Sequence, residues 1–265
     1  MQDTITDNLY NYPKYYDLVF GSDWAAEYHF FRACFEKHAK RKVQRLLEPA
    51  CGTGRLLIRM AEAGYEVAGL DLNPLAVEFC NQRFERKGRE LAAIVGDMAD
   101  FSPRDFGSSR KFDAAFNPIN SFRHLPNEAT AQAHLQCMAD ALAKGGIYIL
   151  GLHLTPTNGP RVEDEAWSAS RGHLTVNSYM WSEALDLKQR NERVGMTFDI
   201  YTPTRQFRIV DEMDYRTYTA DQMNQLFAKV PALEVVATYD FTYDVKSPIT
   251  IDESTEDTIF VLRKR

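Results

Sequence analysis

The sequence lacks the features of a membrane-spanning, secreted or nucleic-acid-binding protein. Its longest apolar stretches fall far short of the roughly 20 residues that a transmembrane helix needs. The N-terminal residues show no basic region followed by an apolar run, so we expect no signal peptide and predict a cytoplasmic location. The formal net charge is −6 and the basic runs are short, which argues against a large nucleic-acid footprint.

Cysteine is also scarce, and the four cysteines show no pairing pattern. There is no CxxC motif and no histidine at metal-ligand spacing, so the sequence predicts neither a disulfide framework nor a metal site. We expect free, buried thiols in a reducing compartment. The four residues are Cys34, Cys51, Cys80 and Cys137.

The composition is that of an ordinary globular protein, with 45% hydrophobic and 26% charged residues in a chain of 265. This length accommodates one large domain, or one domain that carries a subdomain. From about residue 43 to residue 154, short apolar runs alternate with helical patterns, which is typical of a parallel sheet built from βαβ units. The predicted strands are Val43–Leu47, Glu66–Leu70, Ala92–Val95, Phe112–Phe116 and Ile147–Leu152, and the predicted helices are Arg55–Ala63, one from Asn73 to about Gly88, and Asn127–Lys144.

The pattern changes on both sides of this core. Ser22 and Asp23 can cap a helix that runs to Lys40, and residues 173–218 alternate at period two, which predicts an antiparallel sheet. The predicted division is an N-terminal helical cap (1–42), an α/β core (43–154), an antiparallel β insert (155–218) and a C-terminal completion of the core (219–265). That last part is predicted to hold a helix over Thr219–Lys229 and strands over Leu233–Tyr239 and Thr258–Leu262.

A glycine-rich turn, LLEPACGTGR at residues 46–55, joins the first predicted strand of the core to its first helix. Glycines allow the backbone to approach a ligand closely, and the following helix presents unpaired N–H groups. A dinucleotide-binding turn reads GxGxxG, but the third glycine is missing after Gly52 and Gly54. Glu48 precedes the turn, and its carboxylate would repel a pyrophosphate. The turn therefore favours S-adenosylmethionine, which has an ammonium, a sulfonium and no phosphate, over NAD.

Two acidic residues end the next two predicted strands. Asp71 lies 17 residues after Gly54, where its carboxylate can accept hydrogen bonds from both ribose hydroxyls, although this position fits NAD equally well. Asp97 follows the third strand, where it can accept from an adenine amino group while Met98 packs on the ring. For each acid alone, a helix cap or a strand-end carboxylate is the alternative interpretation. Their placement at successive strand ends, together with Glu48, predicts one nucleoside site.

The segments ExACGTG, GLDLN, GDM and FDAAF, at this spacing, resemble the successive motifs of class I S-adenosylmethionine-dependent methyltransferases. The resemblance covers about residues 43–154 and resumes at the last helix and the last two strands. It implies an α/β fold with a Rossmann-like seven-stranded sheet, whose last strand is antiparallel, and an antiparallel β insert after the fifth strand. It also implies S-adenosyl-L-methionine as cofactor and S-adenosyl-L-homocysteine as product.

Within this family the chain is similar to small-molecule N-methyltransferases, such as glycine N-methyltransferase and the amino-sugar N,N-dimethyltransferases. The similarity lies in Tyr15-Tyr16-Asp17-Leu18, in Asn120-Ser121-Phe122-Arg123-His124-Leu125, and in the insert, which often serves in dimerisation or covers the substrate. It implies a small-molecule acceptor, no nucleic-acid or membrane partner, and a homodimer through the insert as one option. The arginine that grips the carboxylate in glycine N-methyltransferase is replaced here by Leu152-His153-Leu154, which makes glycine a doubtful acceptor.

The resemblance and the strand-end acids together predict the site residues. His124 is the best-placed general base, and a structural histidine is the alternative. Asn120 orients the nucleophile or holds the loop. Tyr16 and Trp24 close over the methionine end, where aromatic rings favour a sulfonium, and core packing is the alternative. The predicted cofactor-binding residues are Tyr16, Trp24, Glu48, Ala50, Gly52, Gly54, Asp71, Leu72, Asp97, Met98, Asn117 and Pro118; the predicted acceptor residues are Asn120, Phe122, His124 and His153; and the predicted catalytic residues are Asn120, His124 and Tyr16.

The predicted function is in-line methyl transfer to a small-molecule acceptor, with amine nitrogen favoured over hydroxyl oxygen. A neutral amine attacks unaided, whereas an alcohol or phenol requires a general base. The alternatives are a protein that binds the cofactor without methylating, an enzyme that uses a derivative of the cofactor for other chemistry, a NAD oxidoreductase, and a methyltransferase acting on nucleic-acid bases. Asn117-Pro118-Ile119-Asn120 is similar to the Asn-Pro-Pro-aromatic tetrapeptide of the last class, but differs from it at the third and fourth positions.

Overall fold

The computed structural model describes residues 3–161 and 163–265, which form a seven-stranded sheet with helices on both faces and a separate five-stranded sheet. The strands are β1 (Asp3–Thr6), β2 (Arg45–Pro49), β3 (Glu66–Asp71), β4 (Ala93–Val95), β5 (Phe112–Asn117), β6 (Leu142–His153), β7 (Asp164–Arg171), β8 (Leu174–Asp186), β9 (Asn191–Tyr201), β10 (Gln206–Arg216), β11 (Leu233–Tyr239) and β12 (Asp257–Lys264). The α-helices are α1 (Pro13–Phe20), α2 (Ala25–His38), α3 (Arg55–Glu62), α4 (Pro74–Glu85), α5 (Glu128–Ala141) and α6 (Ala220–Ala228).

The seven-stranded sheet has the order β11-β12-β6-β5-β2-β3-β4. Strands β2 to β6 run parallel to one another, and β12 runs antiparallel to both β6 and β11. The predicted Rossmann-like sheet with an antiparallel last strand is therefore confirmed. The chain leaves β2 toward β3 on one side and returns to β5 on the other, so the strand order reverses at β2. Ligands of such sheets bind outside the carboxyl ends of the strands at this point.

The apolar core of the domain lies on both faces of this sheet. Neighbouring residues of a strand point to opposite faces, so Leu46 and Leu47 of β2 belong to two different buried clusters, and both are fully buried. Ile149 and Leu150 of β6 divide in the same way. A strand that is buried on both faces has a continuous apolar sequence. The apolar runs in β2 and β6 therefore predicted these strands directly.

The five-stranded sheet has the order β1-β10-β9-β8-β7. The antiparallel pairing of β8, β9 and β10 agrees with the predicted insert. Two strands were not predicted: β7, and β1, which pairs in parallel with β10 although it lies in the predicted helical cap. Both are edge strands with the polar sequences DEAWSASR and DTIT, so neither shows a strong apolar alternation.

A third apolar cluster joins the insert to the N-terminal segment. Leu9 and Leu18 pack there against Val176, Phe198 and Ile209 of the five-stranded sheet, and all five side chains are buried. The N-terminal segment is thus attached to the insert, and the two together form one layer over the carboxyl ends of the core strands.

The helix ends follow the predicted signals in one case and depart from them in two. Asn73 caps α4, because its Oδ1 accepts from the backbone N–H groups of Leu75 and Ala76 at 2.8 and 3.3 Å. The predicted cap of α2 by Ser22 and Asp23 is wrong: the helix begins at Ala25, and the Ser22 hydroxyl donates instead to the Val19 carbonyl at 3.4 Å. Helix α5 ends three residues before the predicted Lys144, because the backbone is already extended at Leu142, where β6 begins.

None of the helices within residues 3–161 and 163–265 is long and apolar enough to span a membrane. In the same residues, no three His, Cys, Asp or Glu side chains lie close enough together to hold a metal ion. All four cysteines are free thiols, and Cys137 is the one that is not fully buried.

Candidate active site

The turn between β2 and α3 consists largely of left-handed backbone. Ala50, Gly52 and Gly54 have φ angles of 52°, 51° and 67°. A Cβ on Gly54 would lie 2.3 Å from Sγ of Cys80 in α4, so glycine is required at this position. A Cβ on Gly52 would meet nothing within 4 Å. The turn therefore packs tightly against α4 on one side and presents its backbone to open space on the other.

Asp71, at the end of β3, connects this turn to the start of α4. Its Oδ2 accepts from the Gly52 N–H at 2.8 Å and its Oδ1 from the Asn73 N–H at 2.9 Å. Burial raises the pKa of the Asp71 carboxyl, while the two N–H groups oppose the shift. Leu72 beside it is 67% exposed, so an apolar side chain lies next to a carboxylate at the predicted ribose position.

Asp97 and Met98, after β4, are fixed by local contacts. Oδ1 of Asp97 accepts from the Ala99 N–H at 2.7 Å, so this exposed carboxylate stabilises its own turn. Met98 is only 7% exposed. Its carbonyl oxygen lies 2.8 Å from Nδ1 of His134, whose Nε2 lies 2.8 Å from the Tyr148 hydroxyl. Because a carbonyl only accepts, Nδ1–H donates to Met98 and the neutral ring accepts from Tyr148 through Nε2.

Burial makes His134 a source of acid instability. The imidazole is fully buried, which lowers its pKa from 6.5 to about 4. In the unfolded chain it binds a proton near pH 6.5, so stability is lost as the pH falls from 6.5 to 4, by up to about 3 kcal/mol. We expect His134→Gln, which does not titrate, to show a smaller loss of unfolding free energy over this range in urea denaturation.

The control for this prediction is His29→Gln, because His29 is exposed on α2. It should leave the pH dependence of the unfolding free energy unchanged. Equal pH dependence in the wild-type protein and in His134→Gln would contradict the assignment.

The N-terminal segment covers the turn and the start of α4. Asn11 accepts from the Asn73 side-chain amide at 3.0 Å. Asp17, which is 3% exposed, accepts from the Thr53 hydroxyl at 3.0 Å and forms an ion pair with Arg83 of α4. These polar contacts hold α1 above the strand ends where the cofactor residues were predicted.

Three segments that are distant in the chain bring Tyr10, His124 and Tyr215 together; we name these three residues the Tyr–His–Tyr cluster. The Tyr10 hydroxyl lies 2.9 Å from Nε2 of His124, and the imidazole lies 4.8 Å, centre to centre, from the Tyr215 ring. Tyr16 packs beside Tyr10 at 5.3 Å. Burial raises the pKa of Tyr16, and the negative charge of Asp71 contributes to the same shift, so the cluster lies close to the predicted ribose residue.

His124 is exposed to solvent, and its ring lies against Tyr10 and Tyr215. Partial burial of the ring, together with the positive charge of Arg123, lowers the pKa of His124 from 6.5 to about 4. The imidazole is therefore neutral near neutral pH, and it is a weak base.

Beneath the turn, Glu48 is 3% exposed and its Oε2 has no hydrogen-bond partner among the described residues. Burial raises the pKa of Glu48, and the positive charge of Arg55 opposes this shift. Arg55, the first residue of α3, pairs with Glu27 through both of its terminal nitrogens. Trp24, just before α2, packs beside α3, and its ring lies 4.4 Å from the guanidinium carbon of Arg59.

The loop after β5 rests on the end of β6. The side-chain amide of Asn117, which is fully buried, donates to the last carbonyl of β2 at 2.9 Å. Asn120 has a φ of 58°, and its Oδ1 accepts from the His153 N–H at 2.9 Å. A Cβ on Gly151 would lie 1.8 Å from the Pro118 carbonyl oxygen, so only glycine lets the loop approach β6 this closely.

The other two predicted acceptor residues lie on either side of this loop. Phe122 is fully buried between His134 and Tyr218, where it supports the loop from below rather than lining an accessible surface. His153 is partly exposed, and its Nδ1 lies 2.9 Å from Oδ1 of Asp257. A cleft bounded by Asn120, His153 and Tyr215 opens here between the core and the insert; we name it the acceptor-side cleft.

Four residues at this site were not predicted: Tyr10, Arg55, Gly151 and Tyr215. Gly151 had a usable signal, since a glycine inside a predicted strand often marks a close backbone approach. Arg55 directly follows the glycine turn and could have been identified from this position. Tyr10 and Tyr215 carry no local signal, because each becomes part of the site only through tertiary packing.

Comparisons with known proteins agree with this fold. A sequence profile described as a methyltransferase domain matches residues 46–146. The chain is 30% identical, over 61% of its length and 60% of the relative's, to a dTDP-3-amino-3,6-dideoxy-alpha-D-glucopyranose N,N-dimethyltransferase of Streptomyces fradiae. Its fold is similar to that of Streptomyces venezuelae DesVI, with 20% identity, a TM-score of 0.76 and coverage of 98% and 99% of the two chains.

A second solved structure was determined with S-adenosylmethionine bound. It is CalS10, described as an amino pentose methyltransferase from Micromonospora echinaspora, with 20% identity, a TM-score of 0.73 and coverage of 98% of this chain and 99% of that one.

Proposed function

The chain is a class I S-adenosylmethionine-dependent methyltransferase, and we propose that it methylates an amine nitrogen of a small-molecule acceptor. The observation that carries this preference is the contact between Nε2 of His124 and the Tyr10 hydroxyl at 2.9 Å, which engages this ring nitrogen within the protein. The pKa of about 4 makes the His124 imidazole a weak base near neutral pH. A neutral amine needs no stronger base, whereas an alcohol does. The similar protein from Streptomyces fradiae is an N,N-dimethyltransferase of an amino sugar, which supports the same choice.

The residues at the strand ends fit this cofactor, which supplies a methyl group on a sulfonium whose thioether is a good leaving group. The turn presents its backbone to open space at Gly52. Within the described part of the chain, Oε2 of Glu48 and Oδ1 of Asn117 are buried oxygens without a partner. The positive charge of Arg55 is compensated by Glu27. Unpaired acceptor oxygens suit a cationic ligand better than a phosphate.

Each predicted cofactor residue then receives a role from its position. Asp71 holds the ribose hydroxyls, and the exposed Leu72 covers the adenine from one side. Asp97 and Met98 complete the adenine side, where His134 fixes the Met98 carbonyl. Tyr16 closes the site from the N-terminal segment. We leave Trp24 as a packing residue of α2 and α3, because its ring lies against Arg59.

The acceptor side is assigned to the loop after β5. Asn120 lines the acceptor-side cleft and is held by its bond to the His153 backbone, so we propose that it orients the acceptor. The Tyr–His–Tyr cluster borders the same region. The proton that the methylated amine releases leaves through the solvent-accessible side of His124.

The remaining alternatives are less well supported. The turn carries both glycines and presents open backbone, which disfavours a binding protein without activity. Asn120 occupies the place where base methyltransferases carry an aromatic residue, and the net charge of −6 disfavours a nucleic-acid acceptor. A cytoplasmic location and a homodimer through the insert stay predictions.

The experiment that tests this function combines cofactor binding with product analysis. We expect micromolar binding of S-adenosylhomocysteine and no binding of NAD by calorimetry. With S-adenosylmethionine and a panel of amines, phenols and carboxylic acids, we expect methylation at nitrogen, identified by tandem mass spectrometry. Methylation only at oxygen would contradict the proposal, and failure to bind S-adenosylhomocysteine would contradict the assigned site.

A further inference from the structure

The acceptor-side cleft differs from the cofactor region in its charge. Besides Asn120, His153 and Tyr215, its walls come from β7, the middle of β8, the start of β9 and the residue before β12. These described lining residues contribute five carboxylates and two guanidinium groups. The carboxylates are Glu163, Asp164, Glu165, Glu192 and Glu256, and the guanidinium groups belong to Arg123 and Arg161.

Both guanidinium groups are engaged by the same buried carboxylate. Glu192, which is 9% exposed, accepts from Arg123 at 2.5 Å and from Arg161 at 2.8 Å. The Ser182 hydroxyl donates at 2.6 Å to Oε1 of Glu192, the oxygen that also accepts from Arg161. Arg161 also lies 3.9 Å from Glu163, so an anionic ligand would compete with carboxylates that already pair with both guanidinium groups.

The remaining carboxylates surround the opening with negative charge. Glu165 is half-buried, and burial raises the pKa of its carboxyl; the charges of Asp257 and Glu256 contribute to this shift, while His153 opposes it. Asp164 accepts from the Tyr179 hydroxyl at 3.0 Å. A cation in the cleft would relieve this repulsion between like charges.

An aromatic ring lines the same cleft. Trp181 lies flat on Gly195, where a Cβ would come within 2.3 Å of the ring, and it stacks on Tyr179 at 5.5 Å. The ring is therefore held in place before any ligand arrives. Aromatic faces attract cations, most strongly in the case of tryptophan. Charge and ring chemistry thus select the same kind of ligand.

We infer that the acceptor is a small polyamine-like or polyamino molecule, which presents one neutral nitrogen to the methyl group and a second, protonated nitrogen to the acidic wall around Glu165. Acceptors that carry a phosphate or a carboxylate are disfavoured. This inference rests on the proposed function. It also separates the chain from its Streptomyces fradiae relative, whose named substrate carries a thymidine diphosphate.

The test compares three acceptors that share one amino sugar. They are dTDP-3-amino-3,6-dideoxy-α-D-glucopyranose, the methyl glycoside of the same monoamino sugar, and a methyl glycoside with a second amino group. We expect kcat/KM to be highest for the diamino glycoside, by roughly tenfold over the monoamino form for one ion pair, and lowest for the nucleotide. Calorimetry in the presence of S-adenosylhomocysteine should rank the binding affinities in the same order.

Glu165→Gln removes one charge and should lower the preference for the diamino glycoside about fivefold or more, whereas the monoamino glycoside is little affected. Glu212→Gln on β10 is the control, because Glu212 is an exposed carboxylate outside the cleft. If Glu165→Gln does not fold, the wild-type protein serves instead: the KM of the diamino glycoside should rise with salt concentration.

The outcomes separate the two proposals. A higher kcat/KM for the nucleotide, or a KM for the diamino glycoside that does not change with salt, overturns this inference and leaves N-methylation intact. Methylation of sugar hydroxyls alone overturns the proposed function. Absence of transfer to all three amines, with S-adenosylhomocysteine bound, overturns both.

Discussion

Gly54→Ala is expected to lower the free energy of unfolding by roughly 3 kcal/mol, as the sum of left-handed strain and overpacking. At a φ of 67° any Cβ is strained, and this one would lie 2.3 Å from Sγ of Cys80. Because the same turn donates its Gly52 N–H to Asp71, a displaced turn also misplaces the carboxylate that we propose holds the ribose. We expect the Kd for S-adenosylhomocysteine to rise at least about tenfold, or about 1.4 kcal/mol.

Two variants separate strain from steric overlap. Gly64→Ala has a φ of 93° but no atom within 4 Å of the new Cβ, so it should show the conformational cost alone and unchanged S-adenosylhomocysteine binding. The double variant Gly54→Ala with Cys80→Ala removes the Sγ atom and should recover part of the lost stability. Urea denaturation and calorimetry measure both quantities. Equal stability of Gly54→Ala and Gly64→Ala would show that Cys80 does not restrict the turn.

His124→Ala is expected to lower kcat/KM for the acceptor by about 100-fold, the cost of misplacing the acceptor by roughly 1 Å. The substitution removes the partner of the Tyr10 hydroxyl and loosens the Tyr–His–Tyr cluster. S-adenosylhomocysteine affinity should change less than threefold, because His124 lies on the acceptor side. Tyr10→Phe keeps the ring and removes only the hydrogen bond, so a loss of roughly tenfold or less is expected. Steady-state kinetics measures the loss of kcat/KM, and calorimetry measures the affinity for S-adenosylhomocysteine.

The pH dependence distinguishes positioning from general base catalysis. With a pKa of about 4, His124 is neutral throughout the range from pH 5 to pH 9. The acid limb of kcat/KM should therefore follow the pKa of the acceptor amine and move when the acceptor is changed. A limb fixed near pH 6.5 that disappears in His124→Ala would instead identify His124 as the base. His29→Ala is the control and should leave kinetics and binding unchanged.

The residues that we propose bind the cofactor could be selected from the sequence because each of their signals is encoded within a few residues. Gly52 and Gly54 indicate a left-handed turn, and Asp71 indicates the end of a buried strand. Asn73 with Pro74 indicates the start of a helix. Strands buried on both faces gave continuous apolar runs, and so the seven-stranded sheet followed from local patterns together with family resemblance. The cap predicted at Ser22 and Asp23 was wrong because a residue type that often caps helices does not by itself determine where a helix begins. The start of the helix also depends on how the helix packs.

The acceptor side was only partly predictable. Asn120 and His124 were identified from a short similar segment, but the partner of His124 was not. Tyr10 and His124 lie 114 residues apart, and Tyr215 follows on a third segment. Their meeting depends on β1 pairing with β10 and on α1 packing over α4, which are contacts between weakly patterned segments. The charge of the acceptor-side cleft likewise arises where β7, the start of β9 and the residue before β12 meet near the loop after β5.

The sequence by itself determined the sheet, the glycine turn and the methyl donor, because periodicity, turn conformation and strand-end chemistry are short-range properties of the chain. The tertiary structure alone decided what covers the site and what charge faces the acceptor. Those features come from residues far apart in sequence, whose proximity is set by the docking of the N-terminal segment and the insert onto the core, and no local pattern records such docking.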